Sequence, residues 1–181
     1  MPNSKTELKC QCGEVSLSVI DEPIISAECL CSDCQEAGAL LQKRTKSPKI
    51  LDGNGATRFV LYRKDRVKFH TGQEKLRSHY LNDEQKTRRV IAGCCNTPIF
   101  LEFKNGHWLS IYGLLWSTEE IPPLEIRTMT RSRPNGIALP DDVANPKTHT
   151  LLFFFKLFKA WGAMGFKAPK INFVEGNIDD K

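Results

Sequence analysis

The hydrophobic and polar positions alternate along several short segments of the chain, which is the pattern of half-buried β-strands. Within residues 7–20, Val15, Leu17 and Val19 alternate with polar neighbours and predict one or two strands. Turn signals such as Asn105-Gly106 separate the later segments. Further strands are predicted over Thr57–Tyr62, Val67–His70, Leu76–Leu81, Arg89–Ala92, Ile99–Phe103 and Trp108–Tyr112.

Two helices are expected to interrupt this β pattern. Ser32 is a favourable N-cap and Gln35 completes a capping box, which predicts a short helix running through Ala37–Leu41. The proline-containing segment Arg131–Pro146 is expected to be a loop, and a second helix follows over Leu151–Met164. The predicted fold class is therefore mainly β, with several small twisted antiparallel sheets, a few short helices and a C-terminal helix.

The second helix is apolar on nearly every side. Lys156, Lys159 and Lys167 share one narrow face, so the helix is expected to be largely buried. Packing on its own sheet is the first expectation, followed by a homodimer interface and then by an anchor on a membrane surface. The side chains expected to face protein are Phe153, Phe154, Leu157, Phe158 and Trp161.

Composition describes an ordinary globular chain of 181 residues, with about 40% apolar residues, 26% charged residues and a net charge of +5. This charge does not require a nucleic-acid partner, and none is expected. The first twenty residues lack the apolar core of a secretory signal, and the longest apolar run is too short for a membrane span. We expect a cytoplasmic protein with a β domain over 1–125, a loop or linker over 126–150 and the helix with its tail over 151–181.

Seven cysteines dominate the candidate chemistry. In a reducing compartment cysteines are more often metal ligands or reactive thiols than disulfides, and their odd number does not suit a fully paired framework. They form three groups along the chain: Cys10 with Cys12, Cys29 with Cys31 and Cys34, and Cys94 with Cys95.

The middle group has the spacing of a metal site. Cys29, Cys31 and Cys34 offer three converging thiolates, and three protein ligands with an open position are the catalytic form of a zinc site. Cys34 is expected near the second residue of the short helix, where free N–H groups and the helix dipole should lower its pKa.

The outer groups have weaker spacing signals. Cys10 and Cys12 would share one face of a strand, but Val15, Leu17 and Val19 have the opposite parity. A bulge or kink at Gly13 would place both sets on the same face. Cys94 and Cys95 are adjacent, so on a strand their side chains would point to opposite faces.

Together these motifs resemble the glutathione-dependent formaldehyde-activating enzyme family, which includes the centromere-protein-V-like domains. The family pattern is Cys-x-Cys-Gly, then Cys-x-Cys-x-x-Cys at the start of a helix, then Cys-Gly-x-Cys-Gly-[Thr/Ser]-Pro-[Leu/Ile] on a late hairpin. The resemblance covers roughly residues 7–115. The corresponding segments are Cys10-Gln11-Cys12-Gly13, Cys29-Leu30-Cys31-Ser32-Asp33-Cys34 and Ala92-Gly93-Cys94-Cys95-Asn96-Thr97-Pro98-Ile99.

The resemblance implies a β-tent fold and one or two zinc ions per chain. It implies a structural zinc held by the first and third groups, carried here onto Cys10, Cys12 and Cys95. It also implies a second zinc on the middle group, near which glutathione and formaldehyde would react. One position departs from the pattern: the family's first cysteine of the third group is Ala92 here. Cys94 replaces that ligand, or the site is incomplete, or the chain uses another arrangement.

Three functional hypotheses follow. The leading one is a zinc-dependent carbon–sulfur lyase, of the S-(hydroxymethyl)glutathione synthase type by resemblance. It would act on the adduct of a small thiol such as glutathione at a zinc held by Cys29, Cys31 and Cys34. The second is a non-enzymatic, zinc-stabilised binding module with the C-terminal helix as its contact surface. The third is a thiol redox sensor in which Cys94 and Cys95 oxidise reversibly.

The remaining polar and aromatic features are assigned ordinary structural roles. The four histidines lack ligand spacing to the cysteines, the two basic segments suit solvated turns, and the tryptophans near the last predicted strand suit a core. These residues are His70, His79, His107 and His149; Lys43-Arg44-x-Lys46 and Lys86-Thr87-Arg88-Arg89; and Trp108 and Trp116.

Overall fold

The computed structural model describes residues 4–82, 84 and 86–179. The first three residues of the predicted β domain and the last two of the predicted tail therefore lie outside the described residues. Within these residues the chain forms ten strands and two α-helices. The strands are β1 Lys5–Lys9, β2 Ser16–Ile20, β3 Ile25–Cys29, β4 Thr57–Arg63, β5 Val67–Thr71, β6 Leu76–His79, β7 Thr87–Ala92, β8 Thr97–Phe103, β9 Trp108–Tyr112 and β10 Ile126–Thr128. The helices are α1 Ser32–Leu41 and α2 Leu151–Ala163, and short 3-10 turns cover Lys64–Arg66, Gln73–Lys75, Gly113–Leu115 and Thr130–Ser132.

Two sheets build the molecule, which confirms the mainly β class with a C-terminal helix. The larger sheet has the order β10-β3-β4-β9-β8-β7-β6, and its neighbours are antiparallel except for β10, which runs parallel to β3. The smaller sheet has the order β1-β2-β5. The predicted strands between residues 57 and 112 are therefore confirmed, although β6 ends at His79.

The large sheet is covered on both faces, and β4 shows how its alternating side chains are divided. Val60 and Tyr62 face a core shared with the small sheet, which we call the sheet core. Phe59 and Leu61 face the opposite side, where residues of α1 and α2 form the helix core. Because alternate residues of a strand point to opposite faces, this apolar strand supplies both cores at once.

The first two cysteines lie in the turn between β1 and β2 rather than on a strand, which corrects the strand-face prediction. Gly13 has a φ of 81°, a left-handed conformation that glycine adopts without steric cost. Hydrogen bonds from Gly13 N to Cys10 O and from Cys10 N to Val15 O, both 2.9 Å, close this turn. The tight turn therefore brings Cys10 and Cys12 together, where the prediction relied on the two-residue period of a strand.

Helix α1 is confirmed, but it begins at Ser32, which was predicted as its N-cap, and the N-cap is Cys31. The Cys31 Sγ accepts a hydrogen bond from the Cys34 backbone N at 3.4 Å. Gln35 forms no capping box, since its side-chain amide donates to the backbone oxygens of Leu30 and Ser132 at 2.6 and 2.7 Å. A cysteine sulfur thus occupies the position predicted for the Ser32 hydroxyl.

Helix α2 forms where the sequence predicts it, with Thr150 as its N-cap, but less of it is buried than expected. Phe153 and Leu157 enter the helix core, whereas Phe154 and Phe158 are more than half exposed. Lys156, one of the three lysines predicted to share a narrow face, forms an ion pair with Glu125. Among the described residues, no helix has the length and apolar character needed to cross a bilayer.

The tail that follows α2 returns across the domain. Ile171, Phe173 and Val174 pack against the sheet core, and the Phe173 ring lies 5.0 Å from that of Phe69. Near its end, Asp179 bonds Arg44 at 2.8 Å and His79 at 2.7 Å. The tail is therefore fixed to the domain at two places.

Candidate metal centres

Four cysteines from two turns meet at one point, which we call the four-sulfur cluster. The Sγ atom of Cys12 lies 3.5 Å from that of Cys10 and 3.4 Å from that of Cys94. The Sγ of Cys94 lies 3.9 Å from those of Cys10 and Cys95, and all four sulfurs lie within 4.8 Å of one another. Sulfurs about 3.8 Å apart are what a tetrahedral zinc with bonds of ~2.3 Å requires. The donor type and the spacing both fit zinc.

The turn between β7 and β8 explains how two adjacent cysteines reach the same point. Cys94 and Cys95 lie in this turn, and Asn96 beside them has a φ of 56°. The Cys95 N donates to Ala92 O at 3.3 Å, which folds the chain back. The strand rule that separates neighbouring side chains does not apply in a turn. Cys94 occupies the fourth place, while Ala92 is fully buried in the preceding strand.

The four sulfurs differ in how readily they ionise. Burial raises the pKa of Cys10 and of Cys94. Burial also opposes ionisation of Cys95, but hydrogen bonds outweigh it, beginning with the Thr97 hydroxyl 3.0 Å away, and lower its pKa to about 6. Metal binding here has to displace protons from the raised thiols, so the occupied state should be favoured as the pH rises.

The remaining three cysteines form a second site, which we call the three-sulfur cluster. Cys29 ends β3, Cys31 caps α1 and Cys34 is the third residue of that helix. Their sulfurs lie within 4.8 Å of one another, and the described residues add no fourth histidine, cysteine or carboxylate to the group. A strand end and a helix start thus leave one coordination position to something other than these side chains.

Ionisation in this cluster is centred on Cys31, which corrects the prediction made for Cys34. Hydrogen bonds from the Cys29 and Cys34 thiols lower the pKa of Cys31 well below its usual range, and the nearby Arg89 guanidinium acts in the same direction. The bond to Cys31 raises the pKa of Cys29 to about 11, and the pKa of Cys34 is raised as well, first by its bond to Cys29. The N-cap sulfur therefore carries the charge, since it accepts bonds from both neighbours.

A cavity of about 720 Å³ lies over the three-sulfur cluster, and we call it the α2 cavity. Its walls are mainly apolar, and α2 supplies one of them. The apolar lining includes Phe59, Leu61, Leu101, Phe103, Trp108, Met129, Phe153, Phe154, Leu157, Phe158 and Trp161. The cavity therefore places three thiols beneath an apolar enclosure, whereas the four-sulfur cluster lies outside it.

Polar atoms interrupt this lining at a few points. Arg89 is 2% exposed, and one of its guanidinium nitrogens donates to Asp33 O at 3.1 Å. His149 Nδ1 and Trp161 Nε1 are buried and have no hydrogen-bond partner among the described residues. A buried polar atom without a partner costs free energy, so each of these two atoms destabilises the packing of its side chain.

Sequence reasoning assigned three of these residues to ordinary roles. Arg89 was predicted to begin a strand, which is confirmed, but also to be solvated, whereas it is buried; its shared parity with the core residue Ile91 was the available signal. Arg88 is likewise engaged, donating to Glu102 at 2.5 and 3.1 Å. His107 and His149 both line the α2 cavity, and no local spacing connects them with the cysteines.

In the other basic segment, Lys43-Arg44-x-Lys46, the arginine also has specific partners. Arg44 Nε donates to Asn96 Oδ1 at 3.2 Å, beside the four-sulfur cluster, and its Nη2 donates to Ile178 O at 2.8 Å. Trp116 is buried in the sheet core as predicted. Trp108, in contrast, is partly exposed and lines the α2 cavity.

The fold and these two clusters define a mainly β protein with two cysteine sites that can each hold a metal ion. The chain belongs to the family of unknown function DUF6151, whose model matches residues 3–116. That match contains all seven cysteines and ends before α2 begins. No curated protein matches the chain. A crystal structure of a Rhodobacter sphaeroides protein, solved as a Northeast Structural Genomics target, matches with 13% identity and a TM-score of 0.46 over 78% of this chain and 100% of that one.

Proposed function

We propose that this protein binds two zinc ions, a structural one in the four-sulfur cluster and a reactive one in the three-sulfur cluster. The observation that carries the proposal is the difference between the clusters: one has four sulfurs, and the other has three and lies under the α2 cavity. Four thiolates close a tetrahedral site, whereas three leave a position for a substrate. The resemblance to the formaldehyde-activating family divides the cysteines in the same way, with Cys94 as the replacement ligand.

The chemistry that we propose is the making or breaking of a carbon–sulfur bond in a thiol adduct. Zinc, when bound, would hold a substrate thiolate or polarise a carbonyl. In the addition direction the thiol sulfur bonds to the carbonyl carbon and the thiol proton moves to the carbonyl oxygen, so no oxidant or reductant is needed. His149 lines the cavity, and burial lowers its pKa, so its neutral ring is the candidate to carry that proton. The Arg89 guanidinium offsets the negative charge of three thiolates.

The cavity wall favours a substrate with an apolar body. Glutathione brings two carboxylates and an ammonium group, yet the acidic and basic residues lining the cavity are Asp33 and Arg89, beside two histidines. Leaving charged groups unpaired in an apolar enclosure is costly. We therefore propose an aromatic or aliphatic thiol adduct, with glutathione as the comparison substrate.

A cobalt-substituted protein tests this function, because thiol binding at an open cobalt site changes its visible absorption. We expect benzyl mercaptan to shift the spectrum of the parent more strongly than glutathione at equal concentration. Cys34→Ser should abolish the response, and Leu40→Ser, at an exposed position of α1 outside both clusters and the cavity lining, should leave it. Absence of any thiol response in a parent loaded at both sites would contradict the proposal.

A non-enzymatic binding module is the second candidate, favoured by the large apolar area that α2 leaves exposed. The two candidates differ in turnover. The enzyme should accelerate the exchange of an aldehyde such as benzaldehyde with its thiol adduct, and the acceleration should be lost in Cys34→Ser. A binding module would hold the same metals and accelerate nothing.

A further inference from the structure

Helix α2 presents a broad apolar face that nothing in the described chain covers. Leu151, Leu152 and Phe155 are 90%, 64% and 61% exposed, respectively. Phe154, Phe158 and Phe166 are also more than half exposed. We call these six residues the α2 outer face. Six large apolar side chains exposed on one short segment exceed what isolated surface residues explain, so a partner surface is indicated.

The exposed face does not result from a detached helix, since the opposite side is firmly held. Phe153 and Leu157 are buried in the helix core. His107 Nε2 bonds Leu157 O at 2.9 Å, and its ring stacks on Trp161 with centroids 5.7 Å apart. The outer face is therefore held pointing away from the domain.

The chain reversal after α2 enlarges this face. Phe166 has a φ of 57°, and its N donates to Trp161 O at 3.0 Å. This conformation returns the Phe166 ring to within 6.0 Å of Phe158 and 5.2 Å of Trp161, measured between centroids. A bulky residue in the left-handed region is strained, yet here the ring it positions stays more than half exposed.

The charged residues within the segment that carries the outer face are all basic. Residues 147–170 contain five lysines and neither aspartate nor glutamate. Lys156 is paired with Glu125. The other four are exposed and have no ion pair in the part of the chain that the structure describes; they are Lys147, Lys159, Lys167 and Lys170. A surface that combines aromatic and leucine side chains with unpaired lysines complements an anionic lipid surface.

We propose that α2 lies on the surface of an anionic bilayer, with its outer face inserted at the boundary between headgroups and acyl chains. The exposed lysines bind anionic headgroups, because long lysine side chains reach the headgroup level while their stems stay on the apolar face. A second copy of the chain is a poorer occupant, since pairing two outer faces would bring two sets of unpaired lysines together. This interaction goes beyond the proposed zinc chemistry and does not depend on it.

Vesicle co-sedimentation of the full, metal-loaded chain tests the proposal. Vesicles of phosphatidylcholine alone are compared with vesicles in which about 30% of the lipid is phosphatidylserine. Each comparison is made at low salt and at about 0.5 M salt. We expect at least tenfold stronger partitioning onto the anionic vesicles, weakened by salt. The double variant Leu151→Ser/Phe155→Ser should lose it, because both side chains are exposed and neither lines the α2 cavity.

Leu40→Ser is the matched control, since Leu40 is 47% exposed on α1. It should partition as the parent does, and all variants should keep the parent's metal content and melting temperature. Equal binding to neutral and anionic vesicles, or binding to neither, would overturn the proposal. So would a dimer in solution that Leu151→Ser/Phe155→Ser dissociates, because the outer face would then be a contact between copies.

Discussion

Two adjacent cysteines can serve one metal when they lie in a turn, and Cys94 with Cys95 shows the geometry that permits it. The left-handed Asn96 and the Cys95-to-Ala92 hydrogen bond fold the hairpin so that both sulfurs face Cys10 and Cys12. From the sequence, the motif indicated which cysteines belong together. It could not give the turn conformation, because strand parity describes extended backbone alone.

Replacement of Cys94 tests its place as the fourth ligand. We expect Cys94→Ser to lose one zinc and to be strongly destabilised or insoluble, as should Cys12→Ser and Cys95→Ser. A structural zinc contributes on the order of 10 kcal/mol of apparent binding free energy, comparable to the net stability of a domain. Metal analysis with thermal melting measures both effects. A Cys94→Ser protein with two zinc ions and a parent-like melting temperature would exclude Cys94 as a ligand.

Replacement of Cys34 should have a milder effect on the fold. Cys34→Ser removes one of three ligands from the open cluster, which contributes less to stability than a closed site. We expect a folded protein with one zinc fewer and a melting temperature lowered by a few degrees. Cys94→Ser is its counterpart in the closed cluster, and it should lower the stability far more than Cys34→Ser does. Full zinc occupancy in Cys34→Ser would remove this residue from the site.

At the scale of elements, α2 marks the limit of prediction from periodicity. Its position and helical state were predictable, because the apolar run is continuous and Thr150 can cap it. Which residues would be buried was not predictable, because the helix is apolar on nearly every side and periodicity cannot select one face. The choice depends on distant partners, namely His107, which precedes β9, and Glu125, which precedes β10.

His107 should make the docking of α2 sensitive to pH. Burial lowers the pKa of this histidine below its ordinary value of 6.5, so the folded state favours the neutral ring. As the pH falls below 6.5, the unfolded chain takes up the proton more readily than the folded one, and stability is lost. We expect the melting temperature to fall more between pH 7.5 and 5.5 in the parent than in His107→Gln. Parallel decreases would contradict this role.

In the candidate site, as in α2, the features set by local sequence were predictable and those set by tertiary contacts were not. The cysteine groups and the start of α1 at the second group were readable from spacing. The α2 cavity was not, because its walls include residues of β3, β4, β7, β8, β9 and a helix far along the chain. Arg89 and His149 enter the site through this assembly, so their importance depends on tertiary contacts that no local pattern records.

At the scale of the whole molecule, the tail after α2 is part of the fold. Deleting residues 150–181 should cause aggregation, because it uncovers both the helix core and the Phe69 side of the sheet core.

Phe173→Ser tests the contribution of the tail alone to stability. It should lower the free energy of unfolding by about 2 kcal/mol, in the lower part of the range for burying a large apolar side chain. Asn172→Ser, at an exposed neighbour, should cost little. Light scattering and denaturant titration measure these effects, and a soluble, folded truncation would contradict the packing.

Because the helix core holds the inner side of α2 and the tail after it is also fixed to the domain, a bilayer under the outer face would fix the orientation of the entire molecule. Phe154 and Phe158 belong both to that face and to the wall of the α2 cavity, so the cavity would open towards the lipid. An apolar substrate dissolved in the membrane would then reach the thiols by lateral diffusion. The reaction rate would follow the mole fraction of substrate in the lipid, and adding substrate-free vesicles at constant total substrate would slow turnover by surface dilution.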